Sequence, residues 1–158
     1  MKEIHEMTKR VLGAAILIVL VSIAGVLAQR QTAQGPLVQV YKTPTCGCCA
    51  NWVKHLQDNG FTTRVVDMPD LADIKTKNNV PGSAQSCHTA TVDGYVLEGH
   101  VPAADVKRLL KDRPAVLGLA VPGMPIGSPG MEVPGVKPAA YNVMSFDRKG
   151  QLTVYASH

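Results

Sequence analysis

From residue 36 onward, short apolar runs alternate with amphipathic stretches, and the period of each block predicts its element. "PLVQVYK" (36–42) reads as a β-strand. A cysteine-rich turn follows, and in "CANWVKHLQDNG" (49–60) Cys49, Val53 and Leu56 recur on one helical face until Gly60 stops the helix. "FTTRVVDM" (61–68) predicts a second strand, and "DLADIKTKNN" (70–79) a short helix with Leu71, Ile74 and Ala72 inward. After the loop "VPGSAQSC" (80–87), "HTATV" (88–92) and "YVLEG" (95–99) flank Asp93-Gly94, a dipeptide suited to the two-residue turn of a hairpin. Beyond Pro102, "AADVKRLLKDR" (103–113) gives a third helix that buries Val106, Leu109 and Leu110, with Asp105 near the end where the dipole favours an anion. The order is βαβαββα.

Residues 116–140 break this rhythm. Prolines from Pro122 to Pro138 are interleaved with glycines, a pattern too irregular for a helix or an inner strand and too aperiodic for collagen. A loop is expected here. "YNVMSF" (141–146) and residues 151–156, joined at "DRKG", predict a closing hairpin added to the sheet edge. Residues 117–158 therefore form a loop-and-hairpin extension of the core, and no internal repeat is present.

Composition fits one globular domain: 158 residues, 46% hydrophobic and 18% charged. A formal charge of +4 comes from scattered Lys and Arg without a basic run or interleaved aromatics, which argues against nucleic acid as a partner. The N-terminus changes the picture more. Lys2, Lys9 and Arg10 precede eighteen uncharged residues (11–28), followed by the polar "QRQTAQG". Val26 and Ala28 suit a signal-peptidase site, so residues 1–28 read as a signal peptide cleaved before Gln29. The alternative is an uncleaved N-terminal membrane anchor, the run being barely long enough to span a bilayer of roughly 30 Å. Cleavage removes three basic and two acidic residues and leaves 13 against 10. Residues 29–36 are then a linker and 37–158 the folded domain, placed outside the cytoplasm, where thiols tend to oxidise.

Against that background the four cysteines need a reason. Three fall in "TPTCGCC" (43–49), at the predicted strand-to-helix turn. Cys46 and Cys49 make a CxxC, and at a helix start backbone N–H groups and the dipole favour thiolate, as both disulfide exchange and metal ligation require. A dithiol oxidoreductase needs an attacking and a resolving cysteine, so Cys48 is surplus to it. A soft metal uses every thiolate, and Cu(I) prefers thiolate and thioether donors. Adjacent Cys48 and Cys49 point different ways, which suits thiolates bridging more than one copper. Zinc is the competing ion, held by four cysteines or by three with His88 or His100. Two structural disulfides, for example Cys46–Cys49 and Cys48–Cys87, are the plainest alternative, although such tiny rings gain little entropically.

The βαβαββα order with a CxxC at the first turn is the thioredoxin-like pattern. In such an α/β fold the end of strand one (Cys46, Cys48, Cys49), the start of strand three (Cys87, His88) and the end of strand four (His100) meet at one sheet edge. "VYKTPTCGCCANWVKHLQDNGF", "SCHTATVDGYVLEGHVPAADVKRLL", "GLAVPGMPIGSPGME" and the terminal "YASH" resemble the CopG-like copper-resistance proteins, from about residue 37 to 158. That resemblance implies a periplasmic copper-binding protein with a thioredoxin-like fold, a proposed redox role, and Cys46, Cys48, Cys49 and Cys87 as thiolate ligands.

Other residues are weighed one by one. His88 follows Cys87 on a predicted strand, so its side chain is expected on the opposite face and in a supporting role. His100, after a glycine at a strand end, is expected as a ligand or as a partner of one. Met124 and Met131 could offer thioethers or cover the cluster, although a Met in such a loop is more often an apolar anchor. Trp52 is expected in the core or as a hydrophobic shield, and His158 as a frayed tail. The reading is a periplasmic protein holding Cu(I) in a cysteine-thiolate site, its partners being copper ions and other periplasmic copper-handling proteins. A membrane enters only if the N-terminal segment is uncleaved. Alternatives are a thiol-disulfide oxidoreductase using Cys46 and Cys49 as catalytic residues, or a zinc-binding module.

Overall fold

The computed structural model describes residues 35–158; the expected export segment (1–28) and nearly all of the linker lie outside the described residues. Strands β1 (Leu37–Lys42), β2 (Thr62–Asp67), β3 (Thr89–Val92), β4 (Tyr95–Glu98), β5 (Gly118–Ala120), β6 (Asn142–Phe146) and β7 (Leu152–Ser157) form one mixed sheet in the order β2-β1-β3-β4-β5-β6-β7. Helices α1 (Gly47–Asp58), α2 (Ala72–Lys77) and α3 (Ala103–Asp112) connect them, with a 3-10 turn at Gly82–Ala84. Through α3 the chain follows the expected βαβαββα order. No helix among the described residues is long and apolar enough to cross a membrane.

Alternation along each strand decides which residues meet which helix. Val38, Val40, Ala90, Leu97 and Leu119 pack with Trp52, Val53 and Leu56 of α1 and Val106 and Leu109 of α3 in the main core. Their neighbours Val96 and Ala120 point the other way and join Val80, Ala84 and Phe146 in a smaller core. β1 runs parallel to β2 and antiparallel to β3, while β3 runs antiparallel to β4. Hence β1 and β4 point in the same direction, and the ends of both lie at the edge where β3 begins. Asp93 and Gly94 both take positive φ (47° and 87°), the backbone of the expected hairpin turn.

Four expectations are corrected. The segment read as too irregular for an inner strand supplies β5, fully buried between β4 and β6, because Gly118–Ala120 precede the first proline of the loop. A Cβ at Gly118 would lie 2.1 Å from the Val96 carbonyl oxygen, so the missing side chain is what lets β5 seat there. In α2, Leu71 is buried as expected, but Ala72 is exposed, Ile74 only half-buried, and Lys75 is the buried side chain of the helix. Leu110 of α3 is also only half-buried. Finally, His158 is no frayed tail: its backbone exchanges hydrogen bonds with Tyr141 (2.9 and 3.1 Å), and its Nε2 lies 2.7 Å from Asp105 Oδ2. The closing hairpin itself forms at the sheet edge, its first strand one residue shorter at the start and its second shifted by one residue, to Leu152–Ser157.

Candidate metal centre

Two stretches of chain build this site in different ways. The first is the turn into α1. Cys46 is the N-cap, and its sulfur accepts the Cys49 backbone N–H at 3.3 Å, so a sulfur occupies the place usually taken by a Ser or Asp oxygen. Cys48 and Cys49 then lie in the first helical turn. Cys46 and Cys49 are joined as a disulfide, whereas Cys48 and Cys87 are free thiols. The alternative pairing of Cys48 with Cys87 is therefore not formed. Cys48 Sγ sits 3.5 Å from Cys46 Sγ and is partly open to solvent, while Cys49 is fully buried.

The second stretch comes from three distant places. Ser86, Cys87 and His88 precede β3, His100 follows β4, and the Pro/Gly segment folds back as a strap across them. Since β3 begins only at Thr89, the strand alternation expected to turn His88 away from Cys87 does not apply. His88 Nδ1 instead lies 3.3 Å from Cys87 Sγ, and His100 Nε2 lies 3.0 Å from the same sulfur. The side chain of His100 is oriented by the strap: its Nδ1–H donates to the Pro129 carbonyl at 2.8 Å. A carbonyl can only accept, so the proton is on Nδ1 and the Nε2 lone pair faces Cys87. Trp52 is fully buried in the main core, as expected, with its ring tilted against that of His88 at 4.3 Å between centroids and its indole N–H donating to the Val101 carbonyl at 2.9 Å.

The four cysteine sulfurs lie within 4.8 Å of one another, and Cys87 Sγ belongs equally to a second group of that size with ring nitrogens of His88 and His100. Cys87 is the shared corner. Burial, helped by the neighbouring Cys48, pushes its thiol up to about 12, so in the metal-free protein it is a neutral S–H donor to His100. Burial also pushes His88 down to about 3, with His100 and Lys75 adding to the effect, and lowers His100 as well. Both imidazoles are thus neutral, the form that ligates metals. His88 Nε2 is fully buried with no hydrogen-bond partner among the described residues. A buried ring nitrogen left without a partner is costly. Met124 and Met131 lie on the strap, Met124 exposed (52%) and Met131 half-buried at a turn closed by the Gly127 N–H to Met131 carbonyl bond.

In two solved structures of a copper resistance protein CopG, Form 2 and Form 1, the match is close. Form 2 is 44% identical, covers 78% of this chain and 98% of its own, and superposes with a TM-score of 0.74. Form 1 is 45% identical over 77% and 96%, with a TM-score of 0.73. The chain belongs to the CopG family. Residues 84–131 also match the family described as "Protein of unknown function, DUF411", a stretch that contains Cys87, His88, His100 and the front of the strap but not the CxCC turn. No curated protein matches the chain. A CopG-family chain with a cysteine cluster able to hold a metal has a copper-related role.

Several residues that hold this CopG-family site together were not singled out from the sequence. Glu98, fully buried at the end of β4, accepts from Lys75 Nζ, Thr89 Oγ1 (2.7 Å) and the Ser86 backbone N–H (2.7 Å). It therefore ties α2 to the residue next to Cys87. Ser86 Oγ in turn donates to the Gly123 carbonyl of the strap. Gly130 lies against α1 so closely that a Cβ would be 2.7 Å from Trp52 N and 2.8 Å from the Cys48 carbonyl. One signal was available: Glu98 is a lone acid in the otherwise apolar "YVLEG", and a carboxylate there needs a buried cation. Nothing local marked Lys75 or Pro129.

Proposed function

We propose that this is a periplasmic copper-binding protein of copper resistance, a thioredoxin-like scaffold whose CxxC works with Cys48 and Cys87 as a Cu(I)-thiolate site able to hold more than one ion. The observation that carries the reading is the meeting of four cysteine sulfurs within 4.8 Å at a helix N-terminus, with Cys87 shared by two neutral histidines. Thiolate is the donor that selects Cu(I), and sulfurs so close together suit bridging of neighbouring ions. In this assignment Cys46, Cys48, Cys49 and Cys87 are ligands, His100 is a ligand through Nε2, and His88 has its Nδ1 close enough to join them. Met124 and Met131 are thioethers or cover. The folded part is exported by the segment 1–28, as signal peptide or anchor, and exchanges copper with other periplasmic copper-handling proteins.

Redox activity belongs to the same proposal. Closing the Cys46–Cys49 disulfide from two thiols releases two electrons and two protons, and two Cu(II) accepting those electrons become two Cu(I). A second reading rests on the disulfide itself: Cys46–Cys49 at a helix N-terminus is the arrangement of a thiol-disulfide oxidoreductase, with metal affinity incidental. Anaerobic titration of the reduced full-length protein with Cu(I) against a competing chelator, with bound ions counted by native mass spectrometry, separates the two. More than one tightly held copper, lost in Cys48→Ser and in Cys87→Ser, supports the cluster. No tight copper, with disulfide exchange surviving Cys48→Ser, gives the oxidoreductase instead, and a preference for a single Zn(II) gives the zinc module.

A further inference from the structure

Joining Cys46 to Cys49 removes two thiolates from the site, yet it leaves a donor set intact. Cys48 and Cys87 remain free thiols, their sulfurs within 4.8 Å of each other. Beside Cys87 Sγ stand His100 Nε2 at 3.0 Å and His88 Nδ1 at 3.3 Å. Cys48 lies within the ring that the disulfide closes, whereas the parts that hold Cys87 and His100 do not pass through it: Glu98 fixes Ser86, Gly123 holds Ser86 Oγ, and Pro129 fixes His100. From these positions we infer that the disulfide form keeps a site for one soft monovalent cation, held between Cys48 Sγ and Cys87 Sγ.

Three consequences follow from the chemistry. Two thiolates satisfy one Cu(I)-class ion, which accepts low coordination by soft donors, but cannot close the four-ligand tetrahedron that structural zinc requires. The disulfide form is therefore the more copper-selective form of the two. Its capacity is one ion, so the state of Cys46 and Cys49 sets how many ions are held and not whether any is held. The ion also occupies Cys48, whose sulfur is 3.5 Å from Cys46 Sγ and which as a thiolate would attack that sulfur, forming Cys46–Cys48 and releasing Cys49 as thiolate. Metal at Cys48 thus protects the Cys46–Cys49 pairing from exchange.

The inference rests on the copper-thiolate reading above, and its test keeps the two apart. Ag(I) is the probe, being soft like Cu(I) but unable to reduce a disulfide by one-electron oxidation under these conditions. Full-length protein is prepared fully reduced and, separately, as the form with one disulfide and two alkylatable thiols; a Cys46→Ser/Cys49→Ser variant provides the same donor set without any disulfide. Expected are several Ag(I) per reduced chain by native mass spectrometry, and one in both the disulfide form and the double variant. In the latter two, adding Cys48→Ser or Cys87→Ser should weaken binding by more than about 100-fold, beyond what loss of a supporting group costs. Peptide mapping should find Cys46–Cys49 intact after long incubation with Ag(I) but partly rearranged to Cys46–Cys48 without it. Reduced protein that binds Ag(I), alongside a disulfide form and double variant that bind none, overturns the inference and leaves the proposed function standing. Reduced protein that binds none overturns the proposed function itself.

Discussion

The CxCC turn and the Cys87 corner contribute to one site but are made in opposite ways. The turn is local: three thiols within four residues, a backbone N–H to a sulfur, and a disulfide closed over a separation of three. The Cys87 corner is assembled from β3, β4, α2 and the strap, through bonds spanning 12 residues (Ser86 to Glu98), 23 (Lys75 to Glu98), 29 (His100 to Pro129) and 37 (Ser86 to Gly123). Local geometry can switch between dithiol and disulfide while its surroundings stay put. An assembled corner is fixed by the fold, so it offers a constant set of donors to whatever the turn presents. The difference separates a chemically changeable half from a positional one.

Loss of the strut beneath the assembled half should have the largest effect. Glu98→Ala leaves Lys75 buried without its counter-ion and the Ser86 N–H without an acceptor, which should cost about 3–5 kcal/mol in urea unfolding of metal-free protein. Replacing both partners, Lys75→Met with Glu98→Leu, should recover the part due to the stranded charge but not the part due to the Ser86 N–H, which still lacks an acceptor. The exposed Lys54–Asp58 pair is the control; Lys54→Ala should change stability by less than about 0.5 kcal/mol. An Glu98→Ala protein as stable as the parent would remove the distinction between the halves.

Next in size is the effect on copper. Cys87→Ser takes away the one sulfur that both donor groups share, and Cu(I) affinity by chelator competition should fall more than about 100-fold, or about 2.7 kcal/mol. Cys46→Ser should lower capacity with a smaller loss in the tightest site, because the assembled donors persist. Equal losses in the two variants would show the halves to be energetically one. Smaller again is the effect of the strap. Gly130 has φ +86° and backbone neighbours where a Cβ would go, so Gly130→Ala should cost about 1–3 kcal/mol. By shifting the neighbouring Pro129 carbonyl away from His100 it should also weaken Cu(I) binding about 10-fold, whereas Gly135→Ala, with open space around it, should leave copper unchanged.

This contrast also explains what could be read from sequence. The βαβαββα order, the Asp93-Gly94 turn and the amphipathic face of α1 are written in local periodicity and turn chemistry, and those elements form as expected. The meeting of Cys46, Cys48, Cys49, Cys87 and His100 was legible too, because strand direction alone carries residues 40 apart to one sheet edge. What was not legible depended on where a strand starts and on long-range partners. A one-residue shift of β3 reverses where His88 points, β5 is too short to announce itself beside a proline-rich stretch, and Lys75 looks like any surface lysine until Glu98 is placed against it.

The smallest expected effect is one of pH, and it probes whether the assembled half is held neutral. His88 titrates near 3 when folded because burial, His100 and Lys75 all oppose its charge, whereas in the unfolded chain it takes up a proton near 6.5. Its lowered value means that the unfolded state binds more protons between those limits, so stability is fully present above about pH 6.5 and is lost as the pH falls toward 3. Between pH 6 and pH 5 the loss should be about 1 kcal/mol, with the lowered values of His100 and His55 acting in the same direction. Urea unfolding of the metal-free protein at both pH values measures it. His88→Phe keeps a ring against Trp52 and removes both nitrogens, so the slope should shrink by most of that amount while the stability at pH 7 stays level or rises, the orphaned Nε2 being gone. An unchanged slope in His88→Phe would mean that His88 already meets water in solution, and the assembled half would then be as open as the turn it faces.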